Sequence, residues 1–433
     1  MSTAVSPWTS PEIADRIDAD IERVRKTRVA LRVLDAAGKP VSGARVVSEQ
    51  TSADFHFGAN IFMLGGFPTP EQNARYEEAF LHLFNAATVP FYWRGTEVER
   101  GKPRYSADSP FLARRPPPDT VIAFCEKHGL RMHGHYLVWD FYKWSVPDWL
   151  SKTDTEANAR AFEARVREIA ERYGDRIKRW DALNESMRTA ERFAGGESCA
   201  MPASYEADAF VWAKRYFPES VRMDINEVSR SWTTWNLDYL AKIRGLINTG
   251  HQIDGIGYQF HLFSDDDVRG VLDGRVYAPT TLFAALDNAA AFGLPVHVSE
   301  ITLTSPENTP QSQAEQAEAA RNLYRLWFSH PSVDSITWWN VPDGGGAPGE
   351  DKLRSGLLNP DLSPKPAYHA LRDLIHNEWR TNNQGETNAD GLHVFRGFSG
   401  DYRVRIEHGG KTSTHTVSAA KGAAAETVIR LAS

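Results

Sequence analysis

Eight times along its middle, this chain passes from a short apolar run into a longer helix-patterned one, and that alternation constrains its fold more than any other feature. The apolar runs are Phe55–Ile61, Ala87–Trp93, Arg131–Trp139, Lys178–Asn184, Val221–Asn226, Ile253–Phe260, Pro295–Glu300 and Ser335–Trp339. The helix-patterned stretches follow at about 69–83, 116–128, 155–173, 204–216, 232–249, 280–292, 311–329 and 366–378. Strands separated by helices pair parallel, because each crossover carries the chain back to the end of the sheet where it began. Eight such units in about 330 residues predict an α/β fold, a (β/α)8 barrel. A doubly wound open sheet is the alternative. It would want a glycine-rich phosphate turn after an early strand, and no GxGxxG stands there.

The two ends of the chain have a different texture. Residues about 11–27 carry an amphipathic helix pattern, and residues 28–36 alternate as a half-buried strand does. Gly38-Lys39-Pro40 turns the chain, and Ala44-Arg45-Val46-Val47 resumes a strand. At the far end Leu392–Phe398, Tyr402–Ile406, Ser413–Val417 and Thr427–Leu431 alternate in the same way, with glycine-rich turns between them. The polar run Arg380–Gly385 reads as the linker into them. The expected organisation is residues 53–379 as the barrel, with residues 1–52 and 380–433 together building a small accessory β-sandwich beside it. That sandwich either binds carbohydrate or covers the barrel; its aromatics are few, Phe395, Phe398 and Tyr402.

Composition removes several function classes. The chain has 433 residues, 41% hydrophobic and 24% charged, with a net charge of −7. Such a balance gives no general attraction to nucleic acid or to an anionic membrane. Two cysteines, Cys125 and Cys199, make no disulfide framework and no zinc-ligand cluster, so no metal or cofactor is expected. The start, Met1-Ser2-Thr3-Ala4-Val5-Ser6-Pro7-Trp8, has neither the basic start nor the apolar core of a signal peptide. No apolar run is long enough to span a membrane. The expectation is a cytoplasmic protein, or a secreted one if a leader precedes this sequence.

In a barrel of this kind, chemistry sits at the C-terminal ends of the strands. The fourth run ends Arg179-Trp180-Asp181-Ala182-Leu183-Asn184-Glu185, and the seventh ends Val298-Ser299-Glu300. Two strands that each deliver a carboxyl to one cleft are what glycoside cleavage needs: one carboxyl protonates the leaving oxygen while the other attacks the anomeric carbon. The chain also carries 13 tryptophans. Some fill the core. Others, Trp93, Trp139, Trp144, Trp149, Trp338 and Trp339, stand near strand ends, where aromatic faces suit the apolar faces of sugar rings.

At this point the sequence resembles glycoside hydrolase family 10, the xylanase-type barrel enzymes, over about residues 55–378. Trp180-Asp181-Ala182-Leu183-Asn184-Glu185 is similar to the family's acid/base motif, and Val298-Ser299-Glu300-Ile301 to its nucleophile segment. Gly134-His135-Tyr136-Leu137-Val138-Trp139 resembles its third strand, Ile253–His261 its sixth, Trp338-Trp339-Asn340 with Asp343 its eighth, and Leu357-Leu358 with Pro364–Tyr368 its closing segment. The resemblance implies an endo-1,4-β-xylanase-like, retaining O-glycosyl hydrolase of polysaccharide degradation. Glu300 is then the nucleophile, which has to be ionised. Glu185 is the acid/base, which has to hold a proton; burial and the neighbouring charge favour that. Asn184 grips the hydroxyl beside the anomeric carbon. Gln259 and His261 orient the nucleophile or its neighbour, although His261 alone also reads as a core histidine. His135 and Trp139 line the sugar site and Trp339 covers the glycone, unless Trp339 simply packs in the core.

The family's second strand carries Glu-Asn-x-x-Lys-Trp, and here the pattern breaks. The matching stretch is Thr88-Val89-Pro90-Phe91-Tyr92-Trp93-Arg94-Gly95-Thr96-Glu97, in which Tyr92 and Trp93 are left to meet the sugar. Asp140 stands where histidine is usual, Asn340 where glycine is, and Ser299 where threonine is. These changes leave the bond-breaking pair and alter what holds the substrate. They favour a short xylo-oligosaccharide, a β-xyloside or a related small glycoside over xylan. Tyr142, Trp144 and Trp149 form either a cleft wall or a packed loop, and the glycine-rich segment 342–351 either closes over substrate or stays a surface loop. Two further readings are a carbohydrate-binding protein on a degenerate barrel and a transglycosylase.

Overall fold

The computed structural model describes residues 6–188, 200–421 and 426–432; Cys199 lies outside them. Near the N-terminus are β1 (Lys26–Leu34) and β2 (Arg45–Gln50). Then come β3 (His56–Asn60), β4 (Ala86–Pro90), β5 (Arg131–His135), β6 (Arg179–Asn184), β7 (Arg222–Glu227), β8 (Gly255–Leu262), β9 (Val296–Leu303) and β10 (Val333–Trp338). These last eight close on themselves in chain order, β10 pairing with both β3 and β9, all parallel. The expected (β/α)8 barrel is the observed one.

Local chemistry sets the helices between them. Thr69 and Gln72 cap Pro70–Leu81 reciprocally, and Thr309 with Ser312 do the same for Pro310–Ser329. Asp154 accepts from Ala157 N at the head of Thr155–Tyr173. Gly129 ends Pro118–His128 at φ +66°. Two segments escaped the sequence pattern. Asp265–Asp273 is an extra helix in the loop after β8, and Trp93–Thr96 is a single helical turn directly after β4. Every residue of β6 and β9 is buried, as strands covered on both faces must be. The strands' C-terminal ends therefore carry buried polar side chains inward, and those side chains build the site.

The terminal segments form two antiparallel-rich sheets. One has the order β12 (Leu392–Phe398), β1, β15 (Thr427–Arg430). The other has β11 (Asn382–Glu386), β2, β13 (Asp401–His408), β14 (Lys411–Ser418). Val29, Leu31 and Val33 meet Tyr402, Val404 and Ile406 in a second core, separate from the barrel's. Two expectations change here. The polar run expected as a linker is strand β11, an edge strand held to β2 by backbone pairing, which asks nothing apolar of its side chains. The N-terminal helix, Pro11–Arg25, buries Ile13, Ile17 and Ile21 in the barrel core rather than in the sandwich. Phe395, Phe398 and Tyr402 are all buried. Among the described residues no helix is long and apolar enough to cross a membrane.

Candidate active site

The strand ends open onto one cleft of about 560 Å³, a volume suited to a small ligand. Glu185, Glu300, Asn184, His135, Trp139, Gln259, His261, Trp339 and Tyr92 all line it. Trp93, the tenth residue expected there, does not. The chain turns into its helical turn just after Pro90, so Trp93 faces outward. It is 2% exposed, packs edge-on against Trp149 and Phe162, and donates to Glu97 Oε2 at 2.7 Å. Phe91 lies in the same outer core against Trp180. Of the altered second-strand aromatics, only Tyr92 reaches the cleft. Trp144 lines it too, whereas Trp149 and Tyr142 pack, donating to Glu97 O and Ser151 O. From the glycine-rich loop, Ala347, Pro348, Gly349 and Glu350 line one wall.

Glu300 is 5% exposed and is held from three directions. Asn226 Nδ2 donates to its Oε1 at 2.9 Å, His261 Nε2 lies 3.4 Å from Oε2, and His135 Nε2 lies 3.8 Å from Oε1. The second Nδ2 donor of Asn226 goes to Asn184 Oδ1 at 2.9 Å, and its Oδ1 accepts from Ser299 Oγ at 2.6 Å. One fully buried amide thus ties the two glutamate-bearing strands together. Glu185 accepts from Gln259 Nε2 at 3.3 Å. It sits at φ +51°, a left-handed conformation that costs a non-glycine residue about 1–2 kcal/mol and that recurs at functional sites. Its backbone N–H donates to Asn226 O.

The histidines are tuned by their partners. Burial opposes a proton on His135, but the charge of Glu300 and the hydrogen bond to Asp181 outweigh it and raise its pKa. Asp181 holds His135 Nδ1 at 2.7 Å and His133 Nε2 at 3.0 Å. His261 follows the same logic: desolvation lowers and the Glu300 contact raises, with a net rise. Behind Glu185 lies Glu227 at the end of β7. Burial, with the charge of Glu185 added, pushes its carboxyl up to about 8, while Val228 N and Met187 N donate to it. Phe62, Tyr92, Tyr136, Trp139 and Trp339 form an aromatic cluster of their own around the cleft.

Asn226, Asp181 and Glu227 were missed from sequence. The signal was available, since a polar residue ending an apolar strand of a barrel points into the mouth, and Asn226 ends the fifth run. Arg114 and Arg115 also line the cleft. They come from the long loop between β4 and the next major helix, where no periodic pattern marks a position. The two other departures have structural roles. Asp140 accepts from Ala200 N and Met201 N, and Asn340 Oδ1 accepts from Arg114 Nη2 at 3.2 Å. Deeper in the barrel, His133, Asp224 and His297 bring ligand atoms within 4.8 Å of one another. Arg179 and Arg222 already face Asp224, and after burial it is Arg179 that most lowers the His297 pKa. That field opposes a divalent cation.

A sequence model of Glycosyl hydrolase family 10 matches residues 110–374. The chain belongs to that family. Among relatives of this family 10 chain, endo-1,4-β-xylanase B of Thermotoga neapolitana is 24% identical over 346 residues, covering 76% of the chain and 91% of the relative. The anti-sigma-I factor RsgI6 of Acetivibrio thermocellus is 26% identical over 412 residues, covering 94% of the chain. The chain spans 48% of that relative's length and 33% of that of the Arabidopsis thaliana endo-1,4-β-xylanase 2. Native xylanase 10B of Thermotoga maritima shares the fold with a TM-score of 0.60 at 21% identity, over 75% of the chain and 96% of its own.

Proposed function

We propose that this family 10 chain is a retaining β-glycoside hydrolase acting on a β-xyloside, a xylo-oligosaccharide or a related small glycoside. Glu300 attacks the anomeric carbon as Glu185 gives its proton to the departing oxygen. A covalent glycosyl-enzyme results. Glu185, now ionised, takes a proton from water, and the hydroxide released to the anomeric carbon frees Glu300. The observation that carries this reading is the Asn226 amide, which bridges Asn184 and Glu300. It fixes the nucleophile's Oε1 and aims the residue that meets the neighbouring sugar hydroxyl, and a protein that only bound sugars would need neither. His261 and His135 hold the nucleophile's other directions, and Gln259 holds Glu185. The acid/base role needs no external base, because Glu185 and Glu300 exchange the charge between them through the cycle.

The test is a panel of 4-nitrophenyl β-glycosides with xylo-oligosaccharides and xylan, run beside Glu300→Ala. The expected result is cleavage of at least one small glycoside, a first product with the β configuration, and loss of turnover in the variant. A fluorinated glycoside that slows breakdown of the intermediate should add its sugar mass to the Glu300 peptide. Unimpaired turnover in Glu300→Ala, or an α-configured first product, refutes the mechanism.

A further inference from the structure

Four arginines line the cleft, Arg114, Arg115, Arg188 and Arg230, against three carboxylates, Glu185, Glu300 and Glu350. A neutral sugar offers a guanidinium hydroxyls but no charge. Arg115 is the informative member. Its guanidinium lies 3.8 Å over the ring of Tyr92 and 5.5 Å from that of Phe62. One of its Nη groups donates to Arg114 O at 2.9 Å, and among the described residues no carboxylate lies within 4.0 Å of it. The groups acting on its charge, after desolvation, are the phenols of Tyr92 and Tyr136. Glu350 acts instead on Arg114, whose Nε is already donated to Gly345 O at 2.6 Å and Nη2 to Asn340.

The cleft is also shaped to hold Arg115 where it is. A Cβ on Gly95 would stand 2.9 Å from Arg115 Cγ and 3.0 Å from its Cδ. Gly95 has an ordinary φ, so the glycine supplies space rather than conformation. It lies in the second-strand turn, where the polar side chains usual in the family are missing. The guanidinium is one step from the chemistry: Tyr92, beneath it, touches His135 Nε2 at 3.3 Å, and that atom lies 3.8 Å from Glu300 Oε1. A desolvated cation without a counterion is costly, and its planar fork matches a carboxylate bidentately.

Resting on the hydrolase reading, we infer that Arg115 receives a carboxylate carried by the sugar ring whose anomeric carbon meets Glu300, so that the substrate is a β-linked uronide. The ligand supplies a charge that no described carboxylate brings to Arg115. Specificity follows from that pairing, because a neutral sugar leaves the half-buried guanidinium without a charged partner among the described residues.

The experiment has two arms. Turnover of 4-nitrophenyl β-D-glucuronide is compared with that of the β-D-glucoside and β-D-xyloside, in the wild type, Arg115→Gln, Gly95→Ala and, as a remote control on the sandwich, Arg403→Gln. Binding of the same glycosides, and of glucose 6-phosphate, is measured by calorimetry on the full chain carrying Glu300→Gln, with and without Arg115→Gln. The expected result is a preference for the glucuronide. That preference should fall roughly 10- to 100-fold in Arg115→Gln, the scale of a lost charge-assisted hydrogen bond, fall partially in Gly95→Ala, and hold in Arg403→Gln. Circular dichroism confirms that each variant folds. Cleavage of neutral glycosides with no binding of the glucuronide overturns the inference and leaves the hydrolase standing. Arg115-dependent binding of the glucuronide without any cleavage does the reverse. Tighter Arg115-dependent binding of the phosphate sugar overturns the choice of carboxylate.

Discussion

Asn226 touches no substrate atom in the proposed mechanism and yet should govern the rate. Asn226→Ala removes two donors and one acceptor from a fully buried position. The donor to Glu300, at 2.9 Å, is bonded to a charged group, and such bonds contribute about 1.5–3 kcal/mol. At 1.4 kcal/mol per tenfold, kcat/KM should fall roughly 10- to 150-fold, mostly in kcat if the bond matters more as the nucleophile attacks. The partners left behind, Asn184 Oδ1 and Ser299 Oγ, each become buried and unsatisfied, so folding stability should drop by about 1–3 kcal/mol as well. Asn226→Asp is the sharper variant. It keeps the shape but sets a second carboxylate 2.9 Å from Glu300 Oε1. Two carboxylates at that distance must share a proton, so the acid limb of kcat/KM against pH should move upward as the rate at neutral pH falls. The assay is initial-rate kinetics on whichever small glycoside the panel identifies, from pH 4 to 9, with thermal melts to confirm that the variants fold. A folded Asn226→Ala within about threefold of wild type in kcat/KM, with the Asp variant's profile unmoved, would refute the bridging argument.

Other perturbations test other links. Lys365 is fully buried, with Nζ 3.3 Å from Asp343 Oδ1 and 3.0 Å from Arg354 O; Lys365→Met should strand that carboxylate and cost about 3–5 kcal/mol, and a chemical-denaturation loss below 1 kcal/mol would show that the pair is not structural. A Cβ on Gly134 would come within 2.2 Å of Trp180 Cε3, so Gly134→Ala should push β6 and lower kcat without touching substrate, alongside about 1–3 kcal/mol of overpacking; unchanged kcat would mean that β6 yields elsewhere. Burial, with Arg131 nearby, holds His56 neutral in the fold down to about 3 against an ordinary 6.5. Its folded pKa is depressed, so the unfolded chain takes up the proton first as pH falls below 6.5. From pH 6.5 to 4.5 His56 should therefore remove about 2–3 kcal/mol of stability, and His56→Gln should flatten that slope in urea titrations; an equal slope in both proteins would refute the assignment.

What the sequence made legible, and what it hid, divides along one physical line. Periodicity reports burial, so the eight strands and their helices could be located to within a few residues, and the motif-bearing strand ends delivered Glu185, Glu300, Asn184, His135, Gln259 and His261 to one cleft. Periodicity says nothing about a residue whose partner is distant in the chain. Arg114 and Arg115 belong to an irregular loop, and their meaning appears only when Gly95, Asn340 and Gly345 are brought beside them. Asn226 was visible as a residue but not as a bridge, because its partners come from β6 and β9. Trp93 shows the converse error. The match of Trp93 to a tryptophan of the family's motif implies a place in the cleft, whereas the single helical turn after Pro90 rotates the indole into the outer core. The strand β11 shows the same limit on the backbone, since an edge strand needs hydrogen bonds and not hydrophobicity. The consequence for function is specific. Glu300 and Asn184 sit on regular strands, with Glu185 directly after one, and could be read locally. The residues proposed to select substrate sit where strand two's polar groups gave way to Tyr92 and a loop-borne arginine, so on this proposal selectivity is a tertiary property. The Gly95 and Arg115 pair tests this directly, because neither substitution alters a residue of the catalytic strands.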